Sequence, residues 1–218
     1  MIRGVIFDMD GLLFDSEAPG IEVMLEAAAL QNAPVTREDV LSGMGMAYPE
    51  GKANYEARVP GIDAARLYRD FSLIMRARAA KGEILLKKGA RALLDHLHAL
   101  GIPCALASSS GMDAVMLYLN SQGIADRFRV ILGGPKGVPS KPRPDIFLLA
   151  AEKLDLAPAE CLVLEDSYNG IRAGRAAGMT VCMVPDQIPY REAFSCYVDL
   201  VLPDLDAVRE TYFSDQEN

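Results

Sequence analysis

The sequence lacks the patterns that would place it in several large protein classes. Its four cysteines, Cys104, Cys161, Cys182 and Cys196, show no CxxC spacing, which argues against a zinc ribbon or a dithiol redox motif. Three of them fall inside apolar runs, so buried thiols are expected. Only two histidines occur, His96 and His98; two positions apart in a helical stretch, they point to different faces and cannot grip one metal together. Basic residues are outnumbered, 22 Lys and Arg against 30 Asp and Glu, for a formal charge of −8. No overall basic footprint is left for nucleic acid or an anionic membrane. No apolar run approaches the roughly 18 residues needed to span a bilayer, and the opening stretch Met1 to Phe7 reads as a short buried strand, not a leader. The expected compartment is the cytoplasm. There is no internal repeat and no low-complexity run, and the tail from Ser214 to Asn218 is expected to fray.

What is present is a chain of 218 residues, half of them apolar, large enough to bury a core and to hold one domain plus a substantial insertion. From about residue 85 onward, short apolar runs alternate with amphipathic stretches, the pattern of repeated βα units and a parallel sheet. The runs are Pro103 to Ala107, Phe128 to Leu132, Cys161 to Leu164, Thr180 to Val184 and Leu200 to Leu202. Helices are predicted over Ala90 to Leu100, Met112 to Gln122, Asp145 to Leu154 and Asn169 to Ala177, several closed by a glycine such as Gly101, Gly123 or Gly178. After the first strand no second strand signal follows for about 75 residues, far more than a βα loop holds. The intervening segment has helical spacing over Ile21 to Gln31, Arg37 to Ser42, Tyr48 to Arg58 and Ala64 to Ala80. The expected fold class is therefore α/β, a Rossmann-like parallel sheet core formed by residues 1–15 and 85–218, with residues 16–84 inserted as a helical cap. Ligands of open α/β sheets bind outside the carboxyl ends of the strands, so such a cap would sit over the site.

Four polar clusters each follow a strand candidate: Asp8 with Asp10, Ser108-Ser109-Ser110, Lys141 a short loop beyond the third strand, and Glu165-Asp166. Parallel strands bring all four to one rim, and their chemistry fits a phosphate and a hard cation. Asp8 and Asp166, with a backbone carbonyl at Asp10, can hold Mg²⁺ and leave other octahedral positions to water and a substrate oxygen. Asp8 can then attack phosphorus in line, while Asp10 protonates the leaving oxygen and later deprotonates water. Each cluster also has a plainer reading. Asp8-Met9-Asp10-Gly11 also makes a polar turn. Ser108 and Ser109 either offer hydroxyl and backbone N–H groups to phosphate or form an ordinary loop and helix cap. Lys141, in Ser140-Lys141-Pro142-Arg143-Pro144-Asp145, is held inward by a proline-stiffened loop or is simply solvated. Arg143 suits an exposed role, and Asp145 a helix cap. Glu165-Asp166 would cap the next helix, but adjacent acids at a strand end repel unless a cation is near, which favours the metal reading.

Taken together, Asp8-Met9-Asp10-Gly11, Ser108, Lys141 and Glu165-Asp166 resemble the haloacid dehalogenase superfamily, specifically its β-phosphoglucomutase-like branch with a helical cap inserted after the first motif. The resemblance covers essentially the whole chain. It implies a Rossmann-like core, Mg²⁺, Asp8 as nucleophile, Asp10 as acid and base, Ser108 and Lys141 on phosphate, and Asp166 on the metal with Glu165 behind it. Asp15 fits the stretch that leads into the cap. The branch's sugar phosphomutases resemble one another in a cap histidine and a cap-loop arginine. This sequence has Gly20 near the first position, and Ser42 to Gly51 contains no arginine, although Lys52 follows. The expected function is a phosphatase acting on a small phosphorylated metabolite, such as a sugar phosphate, through an aspartyl-phosphate. A hexose-phosphate mutase and a non-catalytic phosphate-binding regulator are the alternatives. Glu165-Asp166 counts against a dehalogenase, and only Lys52 keeps a phosphonatase in view. Oligomeric state is open, and a monomer suffices for this chemistry.

Overall fold

The computed structural model describes residues 1–46, 48–134 and 137–214. Asp215 to Asn218 of the expected frayed tail, and Ala47 within the stretch Ser42 to Gly51, lie outside the described residues. Six strands form one parallel sheet: β1 Gly4–Phe7, β2 Cys104–Ser108, β3 Val130–Gly133, β4 Cys161–Glu165, β5 Thr180–Met183 and β6 Leu200–Val201. Their spatial order is β3-β2-β1-β4-β5-β6, so the chain leaves β1 in one direction and returns beside it as β4. A crevice opens at the carboxyl end of β1, where the winding reverses.

The strands read as uninterrupted apolar runs because both faces of the sheet are covered. Val5 and Phe7 pack on one face with Leu93, Leu97, Leu119 and Phe213. Ile6, between them in sequence, points to the other face with Phe147, Ala150 and Ile171. The helices supplying these layers are α5 Ala90–Ala99, α6 Met112–Ser121, α7 Asp145–Leu154, α8 Tyr168–Ala176 and α9 Leu205–Phe213. Gly101, Gly123 and Gly178 take φ of +68°, +63° and +74°, the left-handed turn with which helices commonly stop. The long segment after β1 holds α1 Glu17–Ala29, α2 Arg37–Gly43, α3 Tyr48–Arg58 and α4 Ala64–Ala80. These four helices bury a cluster of their own, including Ile21, Met24, Val40, Tyr55 and Leu67.

Three details differ from the sequence reading. Helix α9 was not anticipated, although Asp204 caps it by accepting the Ala207 N–H at 2.9 Å. Asp145 does not cap α7; Pro144 precedes that helix without a side-chain cap, and Asp145 instead pairs with the exposed Arg143 at 3.3 Å. The helix expected from Asn169 starts at Tyr168 and is capped by Ser167, whose Oγ accepts the Gly170 N–H at 3.1 Å. Cys104, Cys161 and Cys182 are buried free thiols and Cys196 is an exposed one.

Phe7 is the last residue of β1, fully buried, with its ring edge-on to Phe128 at 5.8 Å. Truncation at such a site removes transfer energy and leaves a cavity. Phe7→Ala should lower the free energy of unfolding by about 3–5 kcal/mol in urea titrations; a loss below about 1 kcal/mol would show that this end of the sheet repacks freely.

Candidate active site

The register of the sheet builds the site. Phe7 lies opposite Leu106 of β2 and Leu164 of β4, so the next residue on each strand, Asp8, Ala107 and Glu165, falls in one row. Lys141 reaches all three. Its Nζ donates to Asp8 Oδ1 at 2.5 Å, to Glu165 Oε1 at 2.6 Å and to the Ala107 carbonyl at 3.1 Å, and it sits 4.8 Å from the centre of the Phe147 ring. Lys141 and its carboxylate partners are buried. The reading of Lys141 as a solvated loop residue is thereby excluded.

Each remaining carboxylate has a distinct set of partners. Glu165 Oε2 accepts the N–H groups of Asp166 and Ser167 and the Ser167 hydroxyl, at 3.1, 3.1 and 2.9 Å. Both of its oxygens are thus engaged. Asp10 accepts hydroxyl hydrogen bonds from Ser16 at 2.9 Å and Ser110 at 2.8 Å. Among the described residues, Asp166 Oδ2 is buried without any partner. Two glycines make room for this crowding. Gly11 takes φ +78°, and a Cβ there would collide with the Asp166 carboxylate; a Cβ at Gly170 would overlap that of Glu165.

Carboxylate oxygens of Asp8, Glu165 and Asp166 lie within 4.8 Å of one another. Burial pushes the Asp8 carboxyl up to about 7, with Lys141 pulling it down and Glu165 pushing it further up. Asp166 is driven well above the usual carboxylate range by burial and then by the charges of Glu165 and Asp8. Asp10 is also raised by burial, against the hydrogen bonds from Ser110 and Ser16. Glu17 is raised to about 8 by burial and by Asp10. For Lys141 burial works downward, but Asp8 and Glu165 more than offset it, and the ammonium is retained. One cation cannot balance this many acids. A partnerless buried carboxylate oxygen amid mutually repelling acids, all hard oxygen donors, fits a divalent cation.

Ser108 and Ser109 line the same cavity as Asp8, Asp10 and Lys141, with a volume of about 360 Å³. The Ser108 hydroxyl oxygen accepts the Ser110 N–H at 3.0 Å. Every residue singled out in the four motifs thus lies at one end of the sheet.

Residues 2–178 match the haloacid dehalogenase-like hydrolase family. The chain belongs to that family. A phosphoglycolate phosphatase of Shigella boydii is 32% identical over 228 residues, covering 94% of this chain and 88% of the relative. Among solved structures, a mutant of CbbY from Rhodobacter sphaeroides in complex with xylulose-(1,5)bisphosphate superposes with a TM-score of 0.82 at 27% identity, over 94% of this chain and 95% of that one. The β-phosphoglucomutase of Clostridium difficile superposes at 0.79 with 22% identity, over 99% and 97% of the two chains, and shares the fold.

Within this haloacid dehalogenase-like site, three side chains escaped the sequence reading. Ser110 holds Asp10 and was passed over beside Ser108 and Ser109. Ser16 does the same from the start of α1, and Glu17 lines the site with its Oε2 buried and unpartnered. The available signal was position: Ser16-Glu17 closes the loop that begins at Asp10.

The raised carboxyls give a pH dependence of definite sign. In the cation-free protein the folded state holds protons that the unfolded chain releases, so stability should fall as pH rises from about 4 through about 7 to 8. The raised value of Lys141 acts only above this window. A cation bound by the ionised carboxylates reverses the loss. Thermal melts should therefore show a larger upward shift with a millimolar divalent cation near pH 8 than near pH 5. An equal shift at both would contradict this account of the cluster.

Proposed function

We propose that this chain is a Mg²⁺-dependent phosphoric monoester hydrolase that works through an aspartyl-phosphate on Asp8. The observation that carries the reading is the division of labour at the end of β1: Asp8 is pinned by the Lys141 ammonium, and Asp10, two residues on, by two serine hydroxyls. Asp8 is thus aligned as a nucleophile. Asp10 faces the same cavity with its carboxyl raised toward the acid form, which suits it to protonate a leaving oxygen.

The proposed sequence has two transfers. A phosphate enters the cavity bounded by Ser108, Ser109 and Lys141, where the serine hydroxyls donate to its oxygens and Lys141, its three donors engaged elsewhere, supplies positive charge. Asp8 Oδ attacks phosphorus in line, the ester P–O bond breaks, and the proton of Asp10 passes to the departing alcohol. Water then attacks the phosphoryl group on Asp8. Asp10 takes the water's proton and inorganic phosphate leaves, restoring both carboxyls. The Mg²⁺ ion, held by Asp8, Asp166 and the backbone carbonyl of Asp10, would supply positive charge against the phosphoryl oxygens. Glu165, with both oxygens already engaged, would not ligate the ion directly and orients Lys141.

Residues 1–15 and 85–218 form the catalytic core in this reading, and residues 16–84 act as a cap that closes over the leaving group. Two observations favour water over a sugar hydroxyl as acceptor. Lys52, the nearest cation after the cap loop, is committed to Glu56 at 2.8 Å, and no arginine stands in that loop to grip a distal phosphate. A mutase must hold a bisphosphate intermediate, and the cap loop Ser42 to Gly51 supplies no arginine for that task. A purely regulatory role is disfavoured by the complete set of positioned acids. The buried free thiols suit a reducing compartment, in keeping with a cytoplasmic enzyme.

With Mg²⁺ present, the protein should release inorganic phosphate from p-nitrophenyl phosphate. Asp8→Asn should reduce this to background with an unchanged circular dichroism spectrum, and Asp10→Asn should cost about 10²–10⁴-fold in kcat. Full activity in Asp8→Asn would end the proposal.

A further inference from the structure

Resting on the hydrolase reading above, we infer that the site acts on the phosphate ester of an uncharged alcohol. That alcohol carries a flat aromatic ring and, next to the ester carbon, a hydrogen-bond donor accepted by Glu17. Two cavities meet at Asp10. One is the phosphate cavity already described, bounded by Asp8, Ser108, Ser109 and Lys141. The other, about 350 Å³, lies among α1, α2, α3, α4 and α6. Asp10, Glu17, Met46, Tyr68 and Ser110 belong to both. A phosphate seated by Lys141 therefore directs its ester oxygen past Asp10, and the organic body of the substrate extends into the second cavity.

The walls of that cavity define what fills it. Met24, Met46 and Met75 face it together with Tyr55, Tyr68 and Phe71. Thioethers are polarisable and pack well against ring edges, and the Tyr55 and Tyr68 rings already stand edge to face at 5.9 Å. A flat ring finds complementary walls here. Away from Asp10, Glu17 and the lining serines, a polyhydroxylated body would leave hydroxyls against carbon and sulfur, where an unmatched polar group is penalised. The volume matches a small aromatic alcohol and lies at the lower end of small-molecule sites.

Charge narrows the class further. Both oxygens of Asp10 already accept serine hydroxyls, whereas Glu17 Oε2 is buried with no partner among the described residues, although Glu17 lines both cavities. A buried acceptor left unmatched is costly, and a donor on the substrate would satisfy it. Because Glu17 stands where the cavities join, that donor belongs close to the ester carbon. Arg76 is the single cation in the lining of the second cavity among the described residues, and it is exposed. Because Arg76 is exposed, the inner part of this cavity has no buried cation among the described residues to offset a second phosphate or a carboxylate, so a distal anion is disfavoured.

The test is a kcat/KM ranking of the 218-residue chain with Mg²⁺ on phenethyl phosphate, its β-hydroxy derivative, a hexose monophosphate and a hexose bisphosphate, with p-nitrophenyl phosphate as control. The β-hydroxy aromatic ester should exceed the hexose monophosphate by at least about tenfold, and the bisphosphate by more. It should also exceed plain phenethyl phosphate, and Glu17→Leu should bring that last ratio to parity. Should the variant fail to fold, the wild-type ranking alone decides. Hydrolysis of p-nitrophenyl phosphate together with a preference for either hexose ester would overturn the inference and leave the hydrolase reading standing. So would an unchanged aromatic ratio in a folded Glu17→Leu protein, as far as the donor is concerned. Silence on every ester, the control included, would overturn the hydrolase reading and this inference with it.

Discussion

An ammonium buried among carboxylates is expensive to assemble, and the end of this sheet is organised around one. Lys141 leaves water to stand between Asp8 and Glu165, with the Ala107 carbonyl as its third partner. Those three groups come from β1, β4 and β2, neighbours in the sheet, and they fall level because Phe7, Leu106 and Leu164 are in register. A shift of one residue in any of the three strands would remove a partner and turn the side chains of that strand to the opposite face. Such a triad adds little net stability compared with an apolar core, yet breaking it leaves charges buried and unpaired. The chemistry thus depends on a register that the apolar packing of the sheet enforces.

The same constraint explains local structure that departs from ordinary preferences. Ser16 stands at the start of α1, where a serine normally accepts a hydrogen bond from the first turn. It makes no such bond, and its hydroxyl is turned toward Asp10, to which it donates. Ser167, by contrast, donates to Glu165 and still caps α8. Gly11 and Gly170 are similar cases: each leaves out a side chain because a carboxylate occupies the place of its Cβ. Departures from local rules concentrate at functional sites in this way.

Most of the fold was legible because it is written in periodicity. Strands buried on both faces read as apolar runs, and the four helices between Glu17 and Ala80 appeared in the spacing of their apolar residues, within a few positions of their observed limits. Helix α9 escaped because nine residues carry too little periodicity beside the short β6, although Asp204 offered a cap signal. Asp145 was misjudged because an acid at a helix start fits a cap or a first-turn position equally well, and only geometry separates the two. The motif acids could be found because each directly follows an apolar run. Ser16, Ser110 and Glu17 could not be singled out by type, since serines and acids at helix starts are common and their meaning here lies in what they face across the crevice.

What distinguishes the acids is their partners, not their identity. Glu165 has both oxygens engaged, by an ammonium and by the turn that starts α8, and is fixed as a charge that positions Lys141. Asp10 is held by hydroxyls, neutral donors that orient a carboxyl while exerting less pull toward ionisation than an ammonium would. Among the described residues, Asp8 is held by that ammonium alone, which favours its charged form against the desolvation that raises it, and Asp166 keeps a buried oxygen with no partner. Four carboxyls within one crevice are thereby given four different tasks in the proposed reaction: positioning, proton transfer, nucleophilic attack and cation binding. A change that swapped the partners while keeping every acid would disable the site as surely as removing one of them, since the environments that set their protonation apart would be lost.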